Sequence, residues 1–463
     1  MSKGPIQRIQ DSIHGLMEFR GMETLVVDVL RTPELQRLRR IRQLGLAHLV
    51  FPGAEHSRLV HSLGAAWLAV RFGRQLIDTT RGFLIDVLRP SPSSIRDFAV
   101  AALCHDLGHG PLSHAWEREV IGDKYDFDKW AAKLGLNDSY KTLLKGAKWH
   151  ELVTGAFLIW PDGQLHRLLE RTESKASERV VRLLRGQYYL PYLPRLLSGD
   201  VDVDRADFIR RDTQQSGVAY GRYDLDWLLS TCTVGKTQYG ELVSGFDFRK
   251  SVRAIEQFLI ARQALYETVY YHKTVHSAEG MVAMFLKRVK DVVHEGGKFQ
   301  TDVMLKPYLK MMAGEVLDQF ELLRLDDFSL MVLIDALASS KPVDLTVEDL
   351  GRRILARDLF KIVPCTTEQA DEILGRQGGY EEIYDAIKPF CPGNPRYYLV
   401  VDRGVFGMFC SRKEEMAYLV DESRSATPIV SHPKLRGYDK TDRFTRLFTI
   451  ADAVDAVTKL VRR

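Results

Sequence analysis

Three histidines and an aspartate fall within one short run, His105-Asp106-Leu-Gly-His109-Gly-Pro-Leu-Ser-His114. Imidazole and carboxylate are the donor types that hold a mid-row or hard divalent cation. An aspartate buried beside a histidine is costly unless it is paired or bound to metal. The bland alternative has Asp106 capping a turn and the histidines solvated. It asks chance to gather too many ionisable residues, so a metal site completed by distant helices is the expectation.

His61 is the first candidate for completion. In Glu55-His56-Ser57-Arg58-Leu59-Val60-His61-Ser62-Leu63-Gly64, Arg58 and His61 stand three apart and share a helix face. A lone histidine on an apolar helix is ordinarily a core residue, and the basic neighbour tips the reading toward a site. The second candidate is Asp200-Val-Asp202-Val-Asp204-Arg205-Ala-Asp207-Phe208-Ile-Arg210-Arg211-Asp212, where Arg205, Phe208 and Asp212 form one stripe with Asp204 beside it. By itself this charge run would read as a solvated helix face. The third is Arg262, Tyr266 and Tyr270 at spacing four. Core packing explains the tyrosines alone; a guanidinium leading two phenols also suits a phosphate-and-base pocket. His272-Lys273 falls on a different face.

The elements that must position these residues are mostly helical. Residues 6 to 20 read as a short hairpin broken near Asp11 to Gly15. Thr32-Pro33 opens a helix carrying Leu35, Leu38, Ile41 and Leu44 inward and stopping near Gly45. A second helix runs from Ser57 through His61 to about Ile77. After Pro90-Ser-Pro-Ser-Ser, Ser94 and Asp97 form a capping-box-like start to an almost wholly apolar, buried helix that ends at His105-Asp106. Residues 120 to 147 read as a polar surface insertion. Helices resume over His150 to Trp160, Ser177 to Leu184 and Asp200 to Asp212; strands and turns occupy 232 to 248; one long helix covers Ser251 to Glu295. Arg396 to Val401 and Val405 to Cys410 read as a strand pair around Asp402-Arg-Gly404. No internal repeat or low-complexity tract is visible.

With 463 residues the chain is long for a single core, so one large domain and a smaller lobe are expected. Hydrophobic residues at 45% and charged residues at 27% are ordinary globular values. A net charge of +4 does not by itself mark a nucleic-acid binder. The five cysteines include no CxxC pair, which disfavours a disulfide framework or zinc ribbon and fits a reduced cytoplasmic setting. The start lacks an apolar signal core, and no apolar run approaches the roughly 18 residues of a membrane span.

Together these residues resemble the HD-domain superfamily, which binds a divalent metal through a histidine, a His-Asp doublet and a later aspartate. The likeness is closest to the deoxynucleoside triphosphate (dNTP) triphosphohydrolases, among them the vertebrate sterile-alpha-motif/HD-domain enzyme and the bacterial dGTP triphosphohydrolases. It is continuous from about Ile9 to Lys273 through Asp11-Ser-Ile-His-Gly15, Thr32-Pro-Glu-Leu-Gln-Arg-Leu-Arg39, Gln43-Leu-Gly45, Phe51-Pro-Gly-Ala54 and His61-Ser-Leu-Gly64. Beyond residue 300 it fades to Arg352 to Val363. The resemblance implies a mainly α HD-domain helical bundle with small β elements, a catalytic core over 1–300 and an α+β C-terminal lobe over 301–463 with oligomer or regulatory contacts.

It implies metal ligands His61, His105, Asp106 and Asp204. His114 would be the catalytic histidine, supported by Glu117. Arg58, His109, His150, Arg205 and Arg262 would face the triphosphate, with Tyr266 nearby; Gln43, Asp212 and Tyr270 would contact the deoxyribose. Gln36 and Arg39 are kept from an effector nucleotide site, whereas Arg31 and Gln10 depart from it, as Phe208 departs from a phosphate-contacting tyrosine. The implied reaction is metal-hydroxide attack at the α-phosphorus, releasing deoxynucleoside and inorganic triphosphate. One iron, manganese, zinc, cobalt or nickel ion would sit in the site, and magnesium would accompany the triphosphate. A homo-oligomer, tetramer or higher, is implied. The competing readings are a phosphodiesterase or nuclease acting on single-stranded DNA, guided by Arg37, Arg39, Arg40 and Arg42, or a nucleotide monophosphatase. A non-catalytic nucleotide sensor ranks below them, since no candidate ligand is missing.

Overall fold

The chain enters as the hairpin its alternation predicts. Strands β1 (Ile6–Asp11) and β2 (Gly15–Arg20) pair antiparallel, with Asp11 opposite Gly15, and Gly15 takes the positive φ the turn requires. The computed structural model describes residues 5–113, 116–122, 125–299, 302–339, 344–407, 416–435 and 441–462. After α1 (Leu25–Leu30), Thr32 and Pro33 open α2 (Pro33–Gln36) as expected. That helix tightens to a 3-10 turn over Arg37–Arg40 and ends at an extended Ile41, short of Gly45. Long-range bonds intervene: Arg42 N donates to Asp327, Gln43 N to the His56 carbonyl, and Arg58 N to the Ile41 carbonyl.

Helices α3 (Arg58–Thr79) and α4 (Pro92–Cys104) pack against each other within the core. Ser57 sits at the N-cap position of α3, as the sequence suggested. The capping box of α4 is Ser91 with Ser94, one turn earlier than Ser94 with Asp97. Asp97 instead accepts from Arg96, Arg179 and the Tyr188 hydroxyl. Every residue of α4 from Ile95 to Cys104 is buried. Residues 120–147 hold two short helices, Phe127–Lys133 and Asp138–Leu144, whose Trp130, Leu143 and Leu144 join the main core together with Leu134 and Leu136. Then come α5 (Trp149–Leu158), α6 (Ala176–Leu184), α7 (Val203–Ser216), strands β3 (Cys232–Lys236) and β4 (Leu242–Asp247), and α8 (Val252–Leu265).

The long helix expected over Ser251 to Glu295 is interrupted. After α8 the backbone widens to a π-turn at Tyr266–Tyr270, Tyr271 leaves the helix, and an extended His272 caps α9 (Lys273–His294). Apolar spacing continues through the break, so periodicity could not reveal it.

Beyond residue 300 lie α10 (Asp327–Ala338), α11 (Leu345–Leu355) and the remaining strands: β5 (Lys361–Ile362), β6 (Leu399–Gly407), β7 (Tyr418–Val420), β8 (Ala426–Pro428) and β9 (Thr441–Thr449). The expected strand pair around Asp402-Arg-Gly404 is instead the single strand β6, paired antiparallel along its length with β9. Gly404 marks close approach to the Phe444 ring rather than a turn. Cys410 lies outside the described residues. The sheet orders are β1-β2, β3-β4-β7-β8 and β5-β9-β6. The fold is mainly α with small sheets, as expected. One apolar core runs from Met17 to Val461, joining residues on both sides of 300. Among the described residues no helix is long and apolar enough to cross a membrane.

Candidate metal centre and its cavity

Helices α3 and α7 and the turn that ends α4 bring the four expected ligands together. His61 lies in the first turn of α3, His105 and Asp106 follow the end of α4, and Asp204 begins α7. His61 Nε2 is 3.1 Å from Asp204 Oδ1, 3.3 Å from His105 Nε2 and 3.8 Å from Asp106 Oδ2. His105 Nε2 is 3.4 Å from Asp106 Oδ1 and 3.5 Å from Asp204 Oδ1.

The outer edges of both imidazoles are committed. His105 Nδ1 donates to the Ala102 carbonyl at 2.7 Å, and His61 Nδ1 donates to Asp207 Oδ2 at 2.9 Å. In the neutral rings this leaves both Nε2 lone pairs facing the two carboxylates. His61, His105 and Asp204 each place a donor atom within 4.8 Å of the others, with Asp106 beside them and paired to Arg58, a set that suits a divalent ion.

The electrostatics agree. Burial opposes charge on His61, yet Asp204 and Asp207 push its pKa up to about 10. Burial likewise opposes, and Asp106 and Asp204 raise, the pKa of His105. Asp106 is buried, but Arg58 and His105 hold its carboxyl well below the usual range. Protons on the imidazoles thus balance a charge pair that a cation would balance in their place.

Asp207 was missed. It is fully buried and accepts from His14 Nε2 at 2.7 Å, His61 Nδ1 at 2.9 Å, and Arg211 Nε and Nη2 at 2.8 and 2.9 Å. Arg211 also reaches Asp11, so the hairpin turn and α7 close on one buried cluster behind the candidate ligands. Gly64 on α3 makes room for it: a Cβ there would lie 1.8 Å from Asp207 Oδ1. The only sequence hints were the Asp11-to-Gly15 segment and the Asp207–Arg211 spacing of four.

The turn carrying Asp106 is braced from afar. The buried Arg37 donates to the carbonyls of Leu107 at 3.2 Å, His109 at 2.5 Å and Leu325 at 3.1 Å. Gly108 N donates to Thr154 Oγ1, and a Cβ on Gly108 would collide with the His150 carbonyl at 1.9 Å. Leu112 N donates to Asp327 Oδ1 at 2.8 Å. Leu112 and Ser113 hold positive φ, a conformation L-residues keep only where surroundings impose it. Arg58 ion-pairs with Asp106 and donates to Ser113 Oγ at 3.0 and 2.7 Å. His114, expected as the catalytic histidine, lies outside the described residues.

Glu117, expected to support His114, has described partners of a different kind: Oε1 accepts from His109 Nδ1 at 3.1 Å and Oε2 from His150 Nδ1 at 2.9 Å. The two rings stack at 4.2 Å. Burial and Arg58 lower the His109 pKa to about 4.

Two cavities share part of their lining, and the first of them reaches three of the expected ligands. One, of about 440 Å³, is lined by His105, Asp106 and Asp204 and by Arg58, His150, Arg205, Lys148 and Arg185. The last two basic residues were not anticipated. The other, of about 300 Å³, is more apolar, with Leu44, Ala47 and Val275 beside Asp212 and Tyr270. Gln43, Arg58, Phe208 and Tyr266 line both. Tyr270 donates its hydroxyl to Asp212 Oδ2 at 2.6 Å, and His56 Nε2 donates to Asp212 Oδ1 at 2.8 Å.

Arg205 is tied to Asp202 and the Gly199 carbonyl. Arg262 lines neither cavity; it is buried, with its guanidinium 5.6 Å from the Tyr266 ring centre. Gln36 and Arg39 bond to each other at 2.7 Å and also line neither cavity, while Arg31 reaches Asp28 and Gln7.

No protein-family model matches the chain. An uncharacterized protein of Bacillus subtilis is 29% identical over 397 residues, covering 85% of this chain and 78% of that protein. The deoxynucleoside triphosphate triphosphohydrolase SAMHD1 of Bos taurus is 26% identical over 394 residues, 83% of this chain and 63% of that protein. The Homo sapiens SAMHD1 is 26% identical over 386 residues, 81% and 57%. The chain therefore spans less than two thirds of the length of these two triphosphohydrolases. Among solved structures, a phosphohydrolase from Bacteroides thetaiotaomicron matches with a TM-score of 0.70 at 22% identity, covering 96% of this chain and all of that one. A hypothetical protein from Aquifex aeolicus matches with a TM-score of 0.66 at 23% identity over 99% of this chain and all of that one. These likenesses establish a shared fold.

Proposed function

We propose that this chain is a metal-dependent phosphohydrolase acting on dNTPs, releasing a deoxynucleoside and inorganic triphosphate. The observation that carries the reading is the junction of the His61, His105, Asp106 and Asp204 cluster with a basic cavity and, beyond shared walls, an apolar one. The names of the similar proteins support the hydrolase class.

His61, His105, Asp106 and Asp204 would hold one divalent ion, which when bound supplies Lewis acidity to a phosphate oxygen and to water. The donor set accepts iron, manganese, zinc, cobalt or nickel. Magnesium would travel with the triphosphate.

The protein's own groups do the rest. Arg58, Lys148, Arg185 and Arg205 surround the basic cavity and offset the triphosphate charge. Glu117 fixes Nδ1–H on His109 and His150, turning each Nε2 away from itself. Asp212 and the Tyr270 phenol meet over the apolar cavity, where a deoxyribose lacking a 2′ hydroxyl would pack. Water attacks the α-phosphorus, the bond to the 5′ oxygen breaks, and that oxygen takes a proton. His114 is the proposed donor. Residues 1–300 would form the catalytic core and 301–463 its brace, a role supported by the Asp327 bond to Leu112 N, and its oligomer contact.

The test is a product assay. Each dNTP, singly and mixed, is incubated with manganese or magnesium, with single-stranded DNA in parallel, and products are separated by anion exchange. Deoxynucleoside with intact triphosphate is expected. Cleaved DNA with untouched dNTPs would overturn the substrate assignment in favour of a nuclease.

A further inference from the structure

The π-turn that carries Tyr270 toward Asp212 is tied to the C-terminal sheet by one side chain outside the cavities. His276, in the first turn of α9, donates from Nδ1 to Asp402 Oδ2 at 2.8 Å and from Nε2 to the Tyr270 carbonyl at 2.8 Å. Asp402 is on β6. A carbonyl can only accept, and so can a carboxylate. The ring must therefore donate from both nitrogens, which only the imidazolium can do. A cation in the first turn of a helix is disfavoured by the helix dipole, so it needs a nearby anion.

The surroundings supply it. Burial lowers the His276 pKa, but Asp402 and then Glu279 outweigh it and the pKa is raised. The charged and titratable groups facing the ring are Asp402 and Arg446 from the sheet, Glu279 on its own helix, and Tyr271 and His272 just before it. A second bond runs alongside: Arg446 donates from Nη1 to the Tyr271 carbonyl at 2.7 Å, with its guanidinium 4.1 Å over the Phe444 ring. Phe444 in turn packs edge-on against Tyr271 at 5.3 Å. The backbone on which the Tyr270 phenol stands thus hangs from β6 and β9.

We propose that His276 is a positioning residue for the nucleoside end of the cavity. Its ring ties β6 to the Tyr270 carbonyl and so sets the phenol against Asp212. The tie holds while the ring is protonated and loosens when it loses its proton, because neutral histidine can satisfy only one of the two acceptors. The consequence for turnover rests on the dNTP reading above; the tie itself does not.

The experiment uses the full-length, metal-loaded protein and the variants His276→Ala, His276→Gln and Asp402→Asn, each first shown to be folded by its melting curve. Hydrogen exchange over residues 266–271 reads the tie without any substrate. Exchange in His276→Ala is expected to rise about tenfold, the factor one charge-assisted hydrogen bond commands. His276→Gln, which keeps a donor long enough to reach the Tyr270 carbonyl, should recover much of the protection. In dNTP turnover, KM should rise about tenfold in His276→Ala with kcat nearly unchanged. The alkaline rise of KM should move down by about one pH unit or more in Asp402→Asn. Unchanged exchange in folded His276→Ala would overturn the proposal. Altered exchange in a protein that hydrolyses no dNTP would uphold the tie and refute the substrate reading instead.

Discussion

Replacing Asp207 with asparagine isolates the group behind the proposed metal ligands. Oδ1 of Asp207 accepts from His14 and Arg211 Nη2; Oδ2 accepts from His61 and Arg211 Nε. A carboxamide offers one oxygen, so in either orientation an NH2 faces two donors in a fully buried site. Each donor left unsatisfied costs about 1–3 kcal/mol, so a loss of about 2–6 kcal/mol in stability is expected. The metal-specific effect is separate. With Nδ1 no longer held by a carboxylate, His61 loses its fixed tautomer and some basicity, and losing such a partner typically costs about 10–100-fold in metal affinity. That corresponds to about 1.4–2.8 kcal/mol.

The assay is metal content by plasma mass spectrometry after dialysis against graded chelator, alongside melting curves. His14→Ala serves as the control, since it removes a bond to Asp207 without touching His61. A folded Asp207→Asn protein that releases metal at the wild-type chelator concentration would refute the orienting role.

Other expectations concern the same centre. In metal-free protein His61 is raised above its unfolded value to about 10, so its stabilising contribution is complete below about pH 6.5 and is lost as pH rises toward 10; melting temperature should fall across that window without metal and change less with it. Gly64→Ala would drive a methyl into the Asp207 carboxylate and should lower metal content as well as stability, read by the same chelator titration. Tyr270→Phe removes the bond to Asp212 and should raise KM several-fold with kcat less affected, measured by steady-state hydrolysis. Asp106→Ala should lose metal and turnover together, whereas His114→Ala should keep metal and lose turnover; normal turnover in His114→Ala would show that the assigned proton donor is wrong.

Candidate ligands that sit next to one another in the chain could be singled out from sequence. His105 and Asp106 stand in one run at the end of an apolar helix, and His61 was marked by Arg58 one helical turn before it. Groups whose role depends on a partner far along the chain were not. Arg37 looked like one basic residue in a basic stretch and is a buried donor to three carbonyls. Asp327 was not singled out in the sequence and accepts Arg42 N and Leu112 N. The breaks had the same cause. Apolar spacing runs unaltered through Tyr266–Tyr270 while the backbone changes helix type, and a glycine that suggested a turn at 404 makes room for an aromatic ring from β9. The hairpin, the start of α3 and the buried face of α4 were legible because each is set by residues within a few positions.

The bond from Leu112 N to Asp327 spans 215 residues of chain. A polypeptide emerging from the ribosome already contains every candidate ligand once residue 204 has been made, yet the acceptor that fixes the turn after Asp106 is still unsynthesised. At about 5–20 residues per second, several seconds separate the two events. Loop closure over such a distance also makes this contact slow to form. Hydrolytic competence is therefore expected to be acquired late in synthesis, and a prematurely terminated chain ending near residue 300 should carry its ligands without a rigid turn to present them.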